Sequence, residues 1–346
     1  MSQPKKILVT GGAGYIGSHT VIALAASGYQ AVIIDDLSNS KGSVVNSLEK
    51  ILKRPVTFYE HDCKDIVFLR ELFEKEKDIV GVIHFAAHKA VGESVDEPLK
   101  YYQNNLDSLL SVLATMNQQK VPQLVFSSSC TVYGQPDNLP VTEATPRKKA
   151  ESPYGNTKKI SEDIIEDVVN SRSPIKAIAL RYFNPIGADA SGLIGELPLG
   201  APNNLVPYIT QTAAGIREQL TVFGDDYNTP DGTCIRDYIH VSDLAEAHVK
   251  ALQYLEGKME TSLYQTFNIG TGQGHTVLEV VKTFEKVSGI SLNYTIGSRR
   301  EGDIEQIYAN VDKGNKMLQW YASRSLEQAL TDAWNWQQKL EHETAG

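Results

Sequence analysis

Three side chains near the middle of the chain have the chemistry to take a proton from an alcohol. Tyr154 and Lys158 are four residues apart, which puts both on one face of a helix. A free tyrosine, with a pKa of about 10, is a poor base at neutral pH, but a nearby ammonium group favours its phenolate. Ser127, Ser128 and Ser129 form a run of three serines at the end of a predicted strand. We predict that Tyr154 carries the proton, that Lys158 lowers its pKa, and that a hydroxyl of the serine run hydrogen-bonds the alcohol.

A glycine-rich turn near the N-terminus is suited to holding a pyrophosphate. Gly11, Gly14 and Gly17 fit the pattern G-x-x-G-x-x-G, and the turn separates a strand-like run from a helix-like segment over 15–27. Without Cβ atoms the backbone N–H groups can approach a phosphate closely, and the helix N-terminus adds unpaired donors and the positive end of its dipole. The turn therefore predicts a dinucleotide site.

Acidic side chains after the next two strands indicate which dinucleotide. Asp35 stands 18 residues after Gly17, at the end of the second apolar run. A carboxylate there can accept hydrogen bonds from both adenine-ribose hydroxyls and repels a 2′-phosphate, so NAD is preferred over NADP. Asp36 can share this role, and Asp62 can reach the adenine. With NAD bound, Lys158 can also hold the nicotinamide ribose.

The elements that position these residues alternate between two periodicities. Apolar runs separated by helical segments indicate a parallel sheet covered on both faces. The predicted fold class is α/β, a Rossmann-type doubly wound parallel sheet with a smaller α/β substrate-binding domain. The predicted strands lie at 6–10, 31–35, 56–59, 80–85, 124–127 and 177–180, and the predicted helices at 15–27, 41–53, 64–76, 98–118 and 153–170.

The second half of the chain departs from this alternation. Residues 185–232 contain five prolines and seven glycines, which is typical of ligand-shaping loops. Regular structure resumes over 233–255, with Asp243 predicted as a helix N-cap. We predict an NAD-binding domain of residues 1–183 plus about 233–268, and a substrate-binding domain of residues 184–232 and 269–346.

Composition excludes several classes of partner. With 33 basic and 42 acidic residues the formal net charge is −9, which argues against nucleic acid or an anionic membrane as partner. No apolar run is long enough to span a bilayer. The three cysteines, Cys63, Cys130 and Cys234, form no C-x-x-C motif, so we expect no metal site, inert thiols and a cytoplasmic location.

The motifs together resemble those of a known family. Residues 10–19, the serine run and the Tyr-x-x-x-Lys pair resemble the extended short-chain dehydrogenase/reductase superfamily. Longer blocks are similar to those of the UDP-glucose 4-epimerases, and the resemblance extends over about residues 5–338. These blocks are residues 84–94, 101–105, 181–188, 203–207, 236–241 and 299–303.

This resemblance implies NAD as a tightly bound cofactor and reversible interconversion of UDP-glucose and UDP-galactose through a 4-keto sugar. Tyr154, Lys158 and Ser129 are the implied catalytic residues. The implied cofactor contacts are Gly11, Gly14, Tyr15, Ile16, Gly17, Asp35, Asp36, Leu37, Ser38, Asn39, Ser40, Asp62, Cys63, Phe85, Ala86, Ala87, Lys89, Asn104, Ser129, Tyr154, Lys158 and Phe183. The implied substrate contacts are Lys89, Ser129, Tyr154, Asn184, Asn203, Asn204, Leu205, Arg236, Tyr238, Arg300, Asp303 and Ile307. A homodimer packed through helices near 98–118 and 153–170 is also implied.

One position departs from the family. Four residues after Asp303, where the family commonly has Tyr, Cys or Ser beside the hexose C2, this chain has Ile307. We therefore expect UDP-galactose as the main substrate and poor turnover of N-acetylated UDP-hexosamines, with activity on those sugars as the alternative.

Four other functions remain as alternatives. A sugar-nucleotide dehydratase is disfavoured because Cys130 and Thr131 occupy the places of its Asp-Glu pair. A UDP-glucuronate decarboxylase or 4-epimerase lacks a clear extra basic group for the C6 carboxylate. A net dehydrogenase or a non-catalytic NAD-binding protein would share the fold, but the second would be expected to lose the residues of the catalytic set.

Overall fold

The computed structural model describes residues 4–300 and 303–344, which form strands and helices in close alternation through the first half. The strands are β1 (Lys6–Thr10), β2 (Gln30–Asp35), β3 (Thr57–Glu60), β4 (Ile79–His84), β5 (Gln123–Ser129), β6 (Lys176–Tyr182), β7 (Asn184–Ile186), β8 (Leu220–Phe223), β9 (Ile235–Arg236), β10 (Tyr238–His240), β11 (Tyr264–Ile269), β12 (His275–Thr276), β13 (Tyr294–Gly297) and β14 (Gln306–Ile307).

Helices follow most of the strands of the first half and dominate the C-terminal end. They are α1 (Tyr15–Ala26), α2 (Ser43–Leu52), α3 (Ile66–Lys75), α4 (Val91–Asp96), α5 (Pro98–Gln119), α6 (Pro153–Asn170), α7 (Leu205–Ala213), α8 (Val241–Glu256), α9 (Val277–Ser288), α10 (Asp312–Leu318) and α11 (Leu326–Thr344). In the part of the chain that the structure describes, every helix is too short or too polar to cross a membrane.

Seven strands form one parallel sheet in the order β11-β6-β5-β4-β1-β2-β3. Alternate residues of β1 enter two separate cores: Ile7 and Val9 pack under α1 and α8, whereas Leu8 packs under α3, α5 and α6. All three are completely buried. The two-sided burial explains the continuous apolar runs, and the predicted doubly wound Rossmann-type sheet is confirmed.

The sheet is completed by a strand from far along the chain. β11 pairs with β6 at the edge, and α8, which precedes it, packs on α1. A second lobe is built from segments on both sides of α8 and β11 in the chain: α7, β8 and β10 come before them, α9 and α11 come after, and together they enclose a smaller core. A capping box begins α9, because Thr276 Oγ1 accepts from the Glu279 N–H while Glu279 accepts from the Thr276 N–H.

The start of α8 differs from the prediction. His240, rather than Asp243, is the N-cap, and its ring accepts a hydrogen bond from the Ser242 N–H at 3.0 Å. The fully buried carboxylate of Asp243 instead accepts from the Ser323 N–H at 3.1 Å, the Arg324 N–H at 2.9 Å and the Arg324 guanidinium. The predicted cap was wrong because a long-range partner outcompetes the local backbone for this side chain.

The role of Asp243 gives a stability prediction. Replacing it by alanine leaves two backbone donors without their acceptor and removes the buried partner of the Arg324 guanidinium, so D243A should lower the free energy of unfolding by about 3 kcal/mol. The matched control is E246Q, which removes the charge of the exposed second partner of Arg324, 2.9 Å away, and should cost less than about 1 kcal/mol. Urea unfolding of both variants measures the difference, and equal losses would contradict this account of the α8 junction.

Candidate active site

The carboxyl ends of the sheet strands and the facing loops of the second lobe enclose one large cleft of about 1180 Å³. Parallel strands all end at the same edge, so polar residues that follow different strands meet there. The glycine turn follows β1, Asp35 ends β2, and Ser129 ends β5. All of these line the cleft together with residues that the second lobe supplies.

The glycine turn is packed too tightly for larger residues. Gly11 has a φ of +68°, and a Cβ there would lie 2.9 Å from the Ala86 nitrogen. At Gly17 a Cβ would lie 2.3 Å from the Gly11 carbonyl oxygen. Helix α1 begins at Tyr15, directly after Gly14, with no side-chain cap. Its first N–H groups are therefore left for an anion.

Asp35 is held in place by the backbone around it. Its carboxylate accepts from the Ala13 N–H at 2.9 Å, the Leu37 N–H at 3.0 Å and the Ser40 hydroxyl at 2.8 Å. Burial raises the pKa of this carboxyl, and these three hydrogen bonds partly offset the increase. The fixed carboxylate therefore links the glycine turn to the loop after β2.

The catalytic candidates meet between α6 and β5. Ser152 caps α6 by accepting from the Gly155 N–H at 3.1 Å, and Pro153 occupies the first turn. Tyr154 and Lys158 then share one face of the helix. Lys158 Nζ donates to the Ser127 carbonyl at 2.6 Å and lies 6.0 Å from the centre of the Tyr154 ring.

Ser129 is oriented toward Tyr154. Its hydroxyl oxygen accepts from the Thr131 N–H at 3.2 Å, and its side chain is close enough to Tyr154 to lower the pKa of that phenol. With the backbone as donor on one side, the hydroxyl proton of Ser129 is directed to the phenol oxygen or to a substrate oxygen in its place. The pair can therefore hold an alcohol oxygen between two hydroxyl groups.

Burial dominates the electrostatics of this triad. It raises the pKa of Tyr154 to about 12, while the hydrogen bond from Ser129 lowers it in part. It also lowers the pKa of Lys158 to about 7, against the field of Glu162. Burial is therefore the largest influence on both pKa values, and the lowering of the Tyr154 pKa by Lys158 stays a prediction.

A polar network that the sequence analysis missed lies behind the triad. Glu162, 1% exposed, accepts from Arg181 Nε and Nη2 at 2.9 and 2.7 Å and from the Ser128 hydroxyl at 2.5 Å. Arg181 also donates to the Tyr133 hydroxyl at 3.0 Å, which in turn donates to Asn268 at 2.6 Å. The network joins α6 to three adjacent strands. The sequence did carry a signal for Glu162, because it follows Lys158 by one helical turn and therefore lies on the same face of α6.

The second lobe supplies positive charge to the cleft. Arg300 Nη2 lies 2.7 Å from Asp303 Oδ1, and Arg236 Nη2 lies 4.0 Å from the same oxygen. Arg236 is held by the small sheet of β12, β9 and β14, and Arg300 is largely exposed. Asp303 therefore balances two cations that face the cleft.

With two exceptions, the predicted site residues line the cleft. The cofactor group comprises Gly11, Gly14, Tyr15, Ile16, Gly17, Asp35, Asp36, Ser38, Asn39, Ser40, Asp62, Cys63, Phe85, Ala86, Ala87, Lys89, Asn104, Ser129, Tyr154, Lys158 and Phe183. The substrate group adds Asn184, Asn203, Asn204, Leu205, Arg236, Tyr238, Arg300 and Asp303. Cleft residues that the sequence analysis did not single out include Glu93, Tyr101, Tyr182, Glu196 and Cys234.

Leu37 and Ile307 are the exceptions, because neither lines the cleft. Leu37 has a φ of +57°, and its N–H is turned to Asp35. Ile307 is 2% exposed and packs in an apolar cluster with Cys130 and Phe183. Ile307 therefore packs in the interior with Phe183, which itself lines the cleft. Burial of an isoleucine side chain among apolar groups is more favourable than its exposure to water in the cleft.

Cys63 and Cys130 lack the features of nucleophiles. Burial raises the pKa of both the Cys63 and the Cys130 thiols to about 12, so little thiolate is present at neutral pH.

Comparisons with known proteins agree over nearly the whole chain. Residues 7–270 match the model of the NAD dependent epimerase/dehydratase family. The UDP-glucose 4-epimerase of Erwinia amylovora is 49% identical over 96% of this chain and 97% of that protein, and that of Bacillus subtilis is 50% identical over 96% of each. The chain belongs to the UDP-glucose 4-epimerase family.

A solved member of that family matches the fold closely. The UDP-glucose 4-epimerase of Bifidobacterium longum, in complex with NAD+ and UDP, superposes with a TM-score of 0.92 and 44% identity, over 97% of this chain and 98% of that chain. The epimerase-family fold thus extends through both lobes.

The buried lysine predicts a pH-dependent stability. In the unfolded chain Lys158 titrates near its ordinary pKa of about 10.4, so from about pH 7 to pH 10 the unfolded state binds more protons and the free energy of unfolding rises with pH. K158M removes this contribution and should be more stable than wild type by about 4 kcal/mol at pH 7.5, with the difference shrinking to about 1 kcal/mol at pH 9.5.

Urea unfolding at pH 7.5 and pH 9.5 measures this difference. K148M, which removes an exposed lysine paired with Asp137, is the control and should keep the wild-type pH dependence. If the difference in stability between K158M and wild type is the same at both pH values, the lowered pKa of Lys158 is refuted.

Proposed function

We propose that the protein catalyses the NAD-dependent, reversible epimerisation of UDP-glucose and UDP-galactose at C4 through a transient 4-keto sugar. The observation that carries this proposal is that a single cleft holds the Ser129–Tyr154–Lys158 triad, a glycine turn and a pair of arginines. The relatives named UDP-glucose 4-epimerase, and the solved relative with NAD+ and UDP, support it.

The residues of the sheet lobe fit NAD. The tight contacts of Gly11 and Gly17 make a cradle that a Cβ would fill, and the capless start of α1 offers donors to a pyrophosphate. Asp35 is ordered by three donors and suits a ribose diol better than a 2′-phosphate. When bound, NAD supplies the acceptor and donor of the hydride that leaves and returns to C4.

Tyr154 performs the proton chemistry in this proposal. It takes the proton of the C4 hydroxyl while the C4 hydrogen departs with its electron pair, which leaves a C4 carbonyl. Ser129 hydrogen-bonds that oxygen throughout, and Lys158 holds the phenolate by its charge. After the keto sugar turns over, hydride returns to the opposite face, and Tyr154 gives the proton back to the same oxygen. No net oxidation results.

The second lobe binds the nucleotide in this proposal. Arg236 and Arg300 hold the diphosphate through charge-assisted hydrogen bonds, for which guanidinium groups are well suited. Asp303, which bridges the two arginines, accepts from the uridine ribose. The other contacts of the UDP-sugar come from Asn184, Asn203, Asn204, Leu205, Tyr238 and, on the sheet side, Lys89.

The domains and assembly belong to the same proposal. We assign residues 1–183 and about 233–268 to NAD binding, and residues 184–232 and 269–346 to UDP-sugar binding, with β11 in the main sheet as support.

Helices α4 and α5 carry exposed apolar side chains: Val95, Leu99 and Leu110 are 60%, 72% and 47% exposed. Such an apolar face suits a second copy of this chain, so we also propose a homodimer, located in the cytoplasm.

The first test is Y154F, which removes only the hydroxyl that carries the proton. It should bind NAD and UDP-galactose nearly as wild type but lose about 10²- to 10⁴-fold in kcat, the usual contribution of a positioned acid–base group. Calorimetric titration measures binding, and chromatography of the UDP-sugars measures turnover. Y321F, at a largely exposed tyrosine, is the control. Turnover by Y154F close to that of the control would overturn the mechanism.

The second test concerns the substituent at C2. Ile307 stands at the position where the family commonly has Tyr, Cys or Ser beside the hexose C2, and it is bulkier and less polar than Cys or Ser, so we propose that UDP-N-acetylgalactosamine is turned over at least about tenfold less efficiently than UDP-galactose. Product identification with both sugars gives the ratio of kcat/KM. Equal values would favour the alternative, a broad epimerase that also acts on N-acetylated UDP-hexosamines.

A further inference from the structure

An ion pair connects the two lobes across the cleft. Lys89, in the loop after β4, places its Nζ 3.3 Å from Glu196 Oε1, and Glu196 lies in the irregular segment of the second lobe. The Glu196 side chain is 12% exposed, and both residues line the cleft. The pair therefore sits where the lobes face each other.

The same carboxylate oxygen also holds a substrate-side residue. Asn204 Nδ2 donates to Glu196 Oε1 at 2.6 Å. Asn204 is the N-cap residue of α7, yet its side chain makes no capping hydrogen bond. An asparagine in that position ordinarily caps its own helix, so its amide has been diverted to Glu196.

The backbone of Glu196 is fixed from behind. Its carbonyl oxygen accepts from Trp336 Nε1 at 3.0 Å, and Gly195 packs so closely on the Trp336 ring that a Cβ would lie 2.5 Å from it. The carboxylate is thus presented from a rigid base formed with α11. Nearby, the hydroxyl of Tyr15, the first residue of α1, donates to the Gly187 carbonyl at 2.7 Å. This hydrogen bond is a second contact between the sheet lobe and the irregular segment.

We propose that Glu196 is a positioning residue that closes the cleft over bound NAD by joining Lys89 of one lobe to Asn204 of the other, and so slows NAD release. The inference rests on the proposed function, since it assigns Lys89 to the dinucleotide and Asn204 to the UDP-sugar. The Glu196 carboxylate accepts from Lys89 on one side and from Asn204 on the other. These donors compensate its negative charge beside two anionic ligands.

The test measures NAD release directly, without turnover. Protein loaded with radiolabelled NAD is mixed with excess unlabelled NAD, and the label retained on a filter is followed over time. E196Q keeps an acceptor for Asn204 but loses the charge that holds Lys89, so release should be about three- to tenfold faster than in wild type. E256Q is the control, because it removes a comparable ion pair, with Lys5, far from the cleft.

Two further measurements of NAD release distinguish closure of the cleft by Glu196 from a purely structural role of that residue. Because salt screens the ion pair, raising ionic strength should speed NAD release from wild type more than from E196Q. K89M should also release NAD faster, and the K89M/E196Q double variant should be no faster than K89M within a factor of two, since both changes break the same contact. Multiplying effects, or an E196Q release rate equal to wild type, would overturn the inference.

The outcome also distinguishes this inference from the proposed function. A wild-type protein that retains no NAD would refute the dinucleotide assignment itself. A wild-type protein that retains NAD, with E196Q and E256Q both unchanged, would refute only the role of Glu196. Thermal melting of each variant shows that it is folded, and the isosteric E196Q leaves the test valid even if K89M is unstable.

Discussion

The buried ion pair between Glu162 and Arg181 is the interaction on which the site depends. Two charges placed in a protein interior cost several kcal/mol each unless they are paired with good geometry, so the two-point contact at 2.9 and 2.7 Å fixes α6 against β6. Lys158 is one helical turn before Glu162, and Tyr154 one turn before Lys158. Anchoring one residue of this face therefore sets the other two against the end of β5.

The chain meets its anionic ligands with local features instead of overall charge. Its formal net charge is −9, yet the cleft offers backbone donors at the glycine turn, Lys89 on one lobe, and Arg236 and Arg300 on the other. Each of these cations is held beside an acid, Lys89 by Glu196 and the arginines by Asp303. At the arginines, a bound diphosphate can replace Asp303 as the partner without exposing unpaired charge.

Local patterns predicted most of the framework, and long-range contacts account for what they missed. The glycine turn, Asp35 and the Tyr154–Lys158 spacing act within single βα units, so periodicity and motif spacing located them. Asp243 was mistaken for a helix cap because Arg324 and Ser323 come from 80 residues further along. Glu196 lies in a segment without periodicity, so no sequence pattern marks it. The burial of Ile307 depends on the pairing of β12, β9 and β14, which are far apart in the chain and leave no local pattern in the sequence.

The central claim is that hydride leaves C4 and returns to the same sugar, with Tyr154 moving the proton. It is tested most directly by incubating the purified protein with UDP-galactose deuterated at C4 and following the products by NMR. We predict UDP-glucose with deuterium retained at C4 and no net NADH. UDP-glucose carrying solvent hydrogen at C4, or accumulation of NADH and a keto sugar, would contradict the account.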